Sequence, residues 1–216
     1  MRIPSSVRHV LLLSALVAAG VTHAAQQRAV TDKGDEVILE SDGTWRYVQA
    51  PKELPSAVAL SDRRYARAPA ATFAVKSLRN TAAVYIDPKK WTFQKGKDAQ
   101  ENEYSFRLSG GDLYARLITE RMNIPLETLP TIALNNLKSV APDAEIVKQE
   151  YRWVNDRKVL HMQMRGTTSG IKAAYYGYYY SDESGTTQLV TFTAQNLMST
   201  MSREAEDFLN GFALQP

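Results

Sequence analysis

Four stretches, residues 144–154, 158–167, 171–181 and 187–195, are long and rich in β-branched and aromatic side chains, the composition of strands. Only Asn155-Asp156-Arg157, Thr168-Ser169-Gly170 and Asp182-Glu183-Ser184-Gly185 separate them. Links this short cannot carry the crossover that parallel neighbours need, so the four strands must run as an antiparallel meander. Alternation along each strand then sorts its side chains onto two faces. On the second strand Val159, His161, Gln163 and Arg165 share one face, and Leu160, Met162 and Met164 the other. The third strand places Tyr176, Tyr178 and Tyr180 on one side and Tyr175 and Tyr179 on the other.

The flanking sequence extends this sheet and covers it. Strand-like stretches occur at 73–78, 83–87 and 91–94, then at 104–108, where Tyr104, Phe106 and Leu108 alternate with polar residues. After Ser109-Gly110-Gly111, residues 112–120 put Leu113, Ala115 and Leu117 on one face. Leu126, Leu129, Ala133, Leu137 and Val140 then recur at helical spacing and Pro142 closes the run, so a helix begins near Thr128 with Pro130 in its first turn. A last helix starts from Thr200 or Ser202 as N-cap, with Ala205, Phe208, Leu209 and Phe212 as its apolar stripe. Strands, one helix, four hairpin-linked strands and one helix predict an α+β domain over residues 72–216, an antiparallel sheet flanked by helices.

Residues 1–24 have the pattern of a secretory signal peptide. Arg2 and Arg8 are basic, residues 10–19 are apolar apart from Ser14, and Thr22-His23-Ala24 ends in the small residues a signal peptidase reads. Cleavage near Ala24 predicts an exported, periplasmic protein with no transmembrane segment in the mature chain. Residues 25–49 read as a small β-hairpin unit, with Asp42-Gly43 as a hairpin turn and Trp45 and Tyr47 on its last strand. Residues 50–71, punctuated by Pro51, Pro55 and Pro69, read as a linker in which a short helix over 56–67 is possible.

Charge and composition narrow the function. Without residues 1–24 the chain holds 24 basic and 23 acidic residues, a balance that offers no footprint for nucleic acid. The absence of cysteine removes thiol nucleophiles, cysteine-ligated metals and disulfides. His161 is the one histidine after residue 24. A catalytic triad or a histidine metal site needs several converging groups, and the sequence supplies one, so no catalytic residue, metal ligand or cofactor is assigned. His161 itself reads as a polar residue on the wetter face of the sheet. Glu101, Glu103, Glu145 and Glu150 likewise read as solvated strand positions. The one unusual concentration is tyrosine: five of residues 175–180. Tyrosine's apolar body and polar tip suit a sugar, peptide or protein surface, but aromatics favour strands, and packing on both faces of a central strand is the leading reading. Gly177 interrupts the row and marks a bulge or a close backbone approach.

Tyr85-Ile86-Asp87-Pro88-Lys89-Lys90-Trp91 resembles the opening strand, proline and tryptophan of PsbP-like domains. Gly170 leading into residues 175–180, the turn at Ser184-Gly185, the run Gln188-Leu189-Val190-Thr191-Phe192-Thr193 and the closing Phe208-Leu209-Asn210-Gly211-Phe212 are similar too. The resemblance spans residues 80–216 or so and implies an α/β/α sandwich of the superfamily named for an extrinsic protein of photosystem II. It further implies a non-enzymatic binding, adaptor or assembly role. The expectation is therefore an envelope protein that binds a protein partner or a small ligand, with Trp45, Tyr47, His161, Tyr176, Tyr178 and Tyr180 as candidate contact residues. A hydrolase or carbohydrate-binding module acting on envelope glycan or peptide is the alternative.

Overall fold

The computed structural model describes residues 27–30, 36–40, 42, 44–48, 58–96 and 102–215; the proposed signal segment 1–24 and the side chains of Trp45 and Tyr47 lie outside the described residues. A three-stranded antiparallel sheet holds β1 (Gln27–Val30), β2 (Glu36–Leu39) and β3 (Trp45–Tyr47). The chain continues through β4 (Leu60–Tyr65), β5 (Phe73–Lys76), β6 (Ala82–Ile86), β7 (Trp91–Lys95), β8 (Tyr104–Leu108) and β9 (Tyr114–Glu120). Helix α1 (Leu129–Lys138) precedes the meander β10 (Glu145–Val154), β11 (Arg157–Thr168), β12 (Ile171–Asp182) and β13 (Gly185–Ala194). Helix α2 (Met198–Leu209) and β14 (Phe212–Leu214) close the chain.

The main sheet has eight strands in the order β4-β10-β11-β12-β13-β9-β8-β7, and a three-stranded sheet β14-β6-β5 packs beside α2. Left-handed turn residues fix the meander. Asn155 and Asp156 have φ of 45° and 62°, Ser169 and Gly170 of 49° and 79°, so two-residue turns of the kind that match strand twist join β10 to β11 and β11 to β12. Asp182 Oδ1 accepts the Ser184 amide at 2.8 Å to shape the third turn.

Each helix seals one face. Leu129 and Ala133 of α1 join Leu160, Met162, Met164 and Tyr179 in one cluster. Ala205, Phe208 and Leu209 of α2 join Val159, Ala174, Tyr178 and Leu189, together with Val84, Ile86 and Phe212 of the small sheet, in the other. Phe208 is the key of that layer, 4.2 Å from the Trp91 ring and 5.1 Å from Phe106. Loss of such a buried ring typically costs about 3–5 kcal/mol. Gly177 keeps its strand in register without a bulge, and the Tyr179 ring lies where a Cβ would stand, 2.8 Å away. The glycine marks a close approach.

Four sequence expectations are corrected. The segment read as linker contributes β4, which pairs in parallel with β10 through Tyr151↔Leu60 and Val154↔Tyr65, so the sheet is mixed. Its Asp62, Arg63 and Arg64 suit an outermost strand, where charge protects an open edge. Helix α2 starts at Met198, ahead of Thr200 and Ser202. Their hydroxyls donate back to the Leu197 and Ser199 carbonyls at 2.8 and 3.1 Å, bonds made inside a helix and not at its cap. Phe212 belongs to β14 opposite Val84, because Gly211 lets the backbone meet the Tyr85 carbonyl where any Cβ would clash. Glu103 is buried, accepting from the Ser77 hydroxyl at 2.8 Å, the Leu78 amide at 2.6 Å and the Thr119 hydroxyl, which bolts the 77–81 loop to the main sheet.

Asn155 ties three segments together. Its Nδ2 donates to the carbonyls of Asn210 and Phe212 at 2.8 and 2.7 Å, and its Oδ1 accepts the Arg67 amide at 2.9 Å. Asn155→Ala loses these bonds and meets the left-handed backbone, so unfolding in urea should show a loss of about 2–4 kcal/mol. Asn155→Gly, which relieves the backbone but not the bonds, should lose less; equal losses in the two variants would contradict the backbone contribution.

Candidate functional site

Strand register assembles the site. Glu150 of β10 lies opposite His161 of β11, which lies opposite Tyr178 of β12, and Gln163 pairs with Tyr176 one step along. These side chains face α2. Where Ser202, Arg203, Glu206 and Leu209 of α2 stand over Arg152, His161, Gln163 and Tyr176, a cleft of about 310 Å³ remains.

Arg152 organises the floor and is only 5% exposed. Its Nε and Nη2 lie 2.7 and 2.6 Å from Glu150 Oε1, and its Nη1 lies 3.4 Å from Glu206 Oε2 and 3.3 Å from the Tyr178 hydroxyl. The guanidinium also stacks 4.3 Å from the centre of the Tyr65 ring. Each carboxylate serves a second cation: Glu150 takes Lys148 Nζ at 3.0 Å, and Glu206 takes Arg63 Nη2 at 3.2 Å. Burial pulls the Glu150 carboxyl upward, but hydrogen bonds from Lys148 and Arg152 outweigh it and hold the group below the usual carboxylate range. Tyr178 donates to Asn210 Oδ1 at 2.8 Å, and burial raises its phenol well above the ordinary value.

His161 does not sit on a wet face. Helix α2 leaves it 2% exposed. Its Nδ1 has no hydrogen-bond partner and stands 3.6 Å from Glu150 Oε1, beyond bonding reach. Burial, aided by the positive charges of Arg152 and Lys148, lowers its pKa to about 3, so the ring is neutral at ordinary pH. Such a ring has little affinity for a proton and makes a weak general base. The cleft's serine, Ser202, has its hydroxyl committed to the Ser199 carbonyl. Among the described residues no three acidic or histidine side chains converge on a position that could hold a metal ion.

Of the residues singled out from sequence, His161 and Tyr176 line the cleft and Tyr178 supports its floor from the core. Tyr180 packs against Phe212, ring centres 5.4 Å apart, away from the cleft lining. Trp45 and Tyr47 belong to β3 in a separate sheet. Sequence reasoning missed Arg152, Gln163, Arg203 and Glu206. The first two were within reach, since Gln163 shares the His161 face of β11 and the Asn155-Asp156 turn sets Glu150 opposite His161, which puts Arg152 on that face too.

A pH experiment tests the buried imidazole. The unfolded chain protonates its histidine below about pH 6.5 while the folded chain resists until about pH 3, so stability falls as pH drops from 6.5. Glu150, its folded pKa lowered, weakens the fold only below its unfolded value of 4.5. Between pH 6.5 and 4.5, His161→Gln should therefore flatten the loss seen in the native chain, read by urea unfolding. An unchanged slope would show that His161 titrates normally.

No family model matches the sequence, and no curated protein matches it. Solved structures do match. The solution structure of cyanobacterial PsbP (CyanoP) from Synechocystis sp. PCC 6803 superposes with a TM-score of 0.51 at 11% identity, over 66% of this chain and 91% of that one. The crystal structure of LpqN, described as involved in cell envelope biogenesis of Mycobacterium tuberculosis, matches with a TM-score of 0.47 at 10% identity, over 67% of this chain and 90% of that one. The likeness to CyanoP establishes a PsbP-like fold, a sheet-rich α+β architecture with two helices.

Proposed function

We propose that this PsbP-like chain is an exported envelope protein that binds a small polar ligand in the cleft beneath α2 without transforming it. The observation that carries the proposal is the state of the cleft's polar groups. Gln163 and Tyr176 make no side-chain hydrogen bond, and Arg203 no ion pair, among the described residues, yet all three line one cavity above a fixed charged floor. A cavity of about 310 Å³ falls at the small end of ligand sites, the size for one sugar or amino acid. Export rests on residues 1–24: Arg2 and Arg8, the apolar run and the small residues ending at Ala24. No helix among the described residues is long and apolar enough to cross a membrane.

In this reading residues 1–24 are the export signal and 25–49 an accessory hairpin unit. The main domain is an α/β/α sandwich that reaches back to Leu60, because β4 completes its sheet. A protein partner is the second reading. Among the described residues strand β7 ends the sheet with no partner on its outer side, and Phe93 on it is 42% exposed beside Phe73, ring centres 5.6 Å apart. Strand addition suits such an edge.

Native mass spectrometry of the protein recovered from its own cells separates these possibilities. The expected species begins after Ala24 and carries a small-molecule adduct that His161→Phe or Tyr176→Ala removes without unfolding the chain. A species that retains residues 1–24 would refute the removal of that segment as a signal peptide. A stoichiometric protein complex with an empty cleft would favour the edge of β7.

A further inference from the structure

The charge distribution around the cleft names the kind of molecule it takes, given that the cleft is a binding site. The lining holds two guanidiniums, Arg152 and Arg203, against one carboxylate, Glu206. Arg152 is consumed by Glu150, Glu206 and Tyr178. Glu206 is also engaged by Arg63. Arg203, on the exposed side of α2, has no acidic partner among the described residues, so one positive charge is left over at the mouth. A planar guanidinium with free donors matches a carboxylate in a forked pair.

A single carboxylate suffices to engage this free guanidinium. A doubly charged phosphate on Arg203 would bring its second charge toward Glu206, the one carboxylate of the lining, where like charges repel. Deeper in the cleft the free groups are of mixed character. The Gln163 amide donates and accepts, and the Tyr176 phenol does the same. Neutral His161 lines the cleft beside them, its ring 6.2 Å from that of Tyr176. Groups that both give and receive hydrogen bonds recognise hydroxyls better than a second charge.

We infer that the cleft binds a small hydroxylated monocarboxylate, a sugar acid in size and chemistry, with its carboxylate on Arg203 and its hydroxyls on Gln163 and Tyr176. The proposal deepens the ligand-binding reading and depends on it.

Two-dimensional NMR titration of the full chain with D-glucuronate, D-glucose and D-glucose 6-phosphate, at one pH and low ionic strength, tests it. Glucuronate should saturate with shifts at Gln163, Tyr176 and Arg203, and bind about tenfold or more tightly than glucose, the worth of a charge-assisted hydrogen bond. Arg203→Ala, a change on an exposed helix surface, should bring the affinity for glucuronate down to that for glucose; Arg203→Lys should keep part of the advantage. Equal affinities for glucuronate and glucose, a preference for the phosphate, or an Arg203→Ala variant that still prefers glucuronate would overturn the carboxylate assignment while leaving the cleft a binding site. Absence of glucuronate shifts at the cleft residues would also overturn it. The ligand-binding reading itself stands or falls separately, on the mass of the protein recovered from cells.

Discussion

Two turns, Asn155-Asp156 and Ser169-Gly170, hold β10, β11 and β12 in one register, and the floor of the cleft follows from it. Side chains alternate with a period of two, so a slip by one residue would carry His161, Gln163 and Tyr176 to the α1 side and expose Met162 and Tyr179 to α2. Left-handed backbone at Asn155 and Asp156 permits a turn of two residues and discourages a longer one. Asn155 adds a tertiary lock, because its amide reaches the carbonyls of Asn210 and Phe212 where α2 gives way to β14. The turn that sets the floor thus also positions the end of the helix above it.

Within this frame the floor is a buried ionic network, an arrangement with a large desolvation cost that is met only by good geometry. Arg152 has two carboxylates, a phenol and an aromatic face around it, and each carboxylate has a further cation. The network stiffens the floor, and burial beneath α2, with the positive charges of Arg152 and Lys148 adding to it, keeps His161 neutral. Polar groups that remain uncommitted, on Gln163, Tyr176 and Arg203, are then the adaptable part of an otherwise fixed surface. Preorganisation of this kind lowers the ordering cost of binding.

Much of the architecture was legible in the sequence. The meander could be read because its strands alternate cleanly and its turns are too short for any other connection, and α1 because Pro130 and Pro142 bracket its apolar spacing. Strand β4 was not, since Leu60-Ser61-Asp62-Arg63-Arg64-Tyr65 is mostly exposed and carries the charges of an edge. Phe212 fell on the helical period of Phe208 and Leu209, and only the close approach of Gly211 to Tyr85 turns it into a strand. For the cleft, the shared face of His161 and Tyr176 was visible, but Arg203 and Glu206 join it through the placement of α2 over that face, a tertiary fact absent from local pattern. Burial of His161 and Glu103 has the same origin.

The small sheet beside α2 is finished by the last strand of the chain. Phe212, Ala213 and Leu214 pair with β6, and Gln215 Nε2 donates to the carbonyls of Ser77 and Ala82 at 3.2 and 3.1 Å. Strand β14 thus covers the edge of β6 that β5 leaves free. Removing Phe212, Ala213 and Leu214 would strip Ala82, Ala83 and Val84 of their strand partners on that side and take the Phe212 ring out of the layer around Val84 and Ile86.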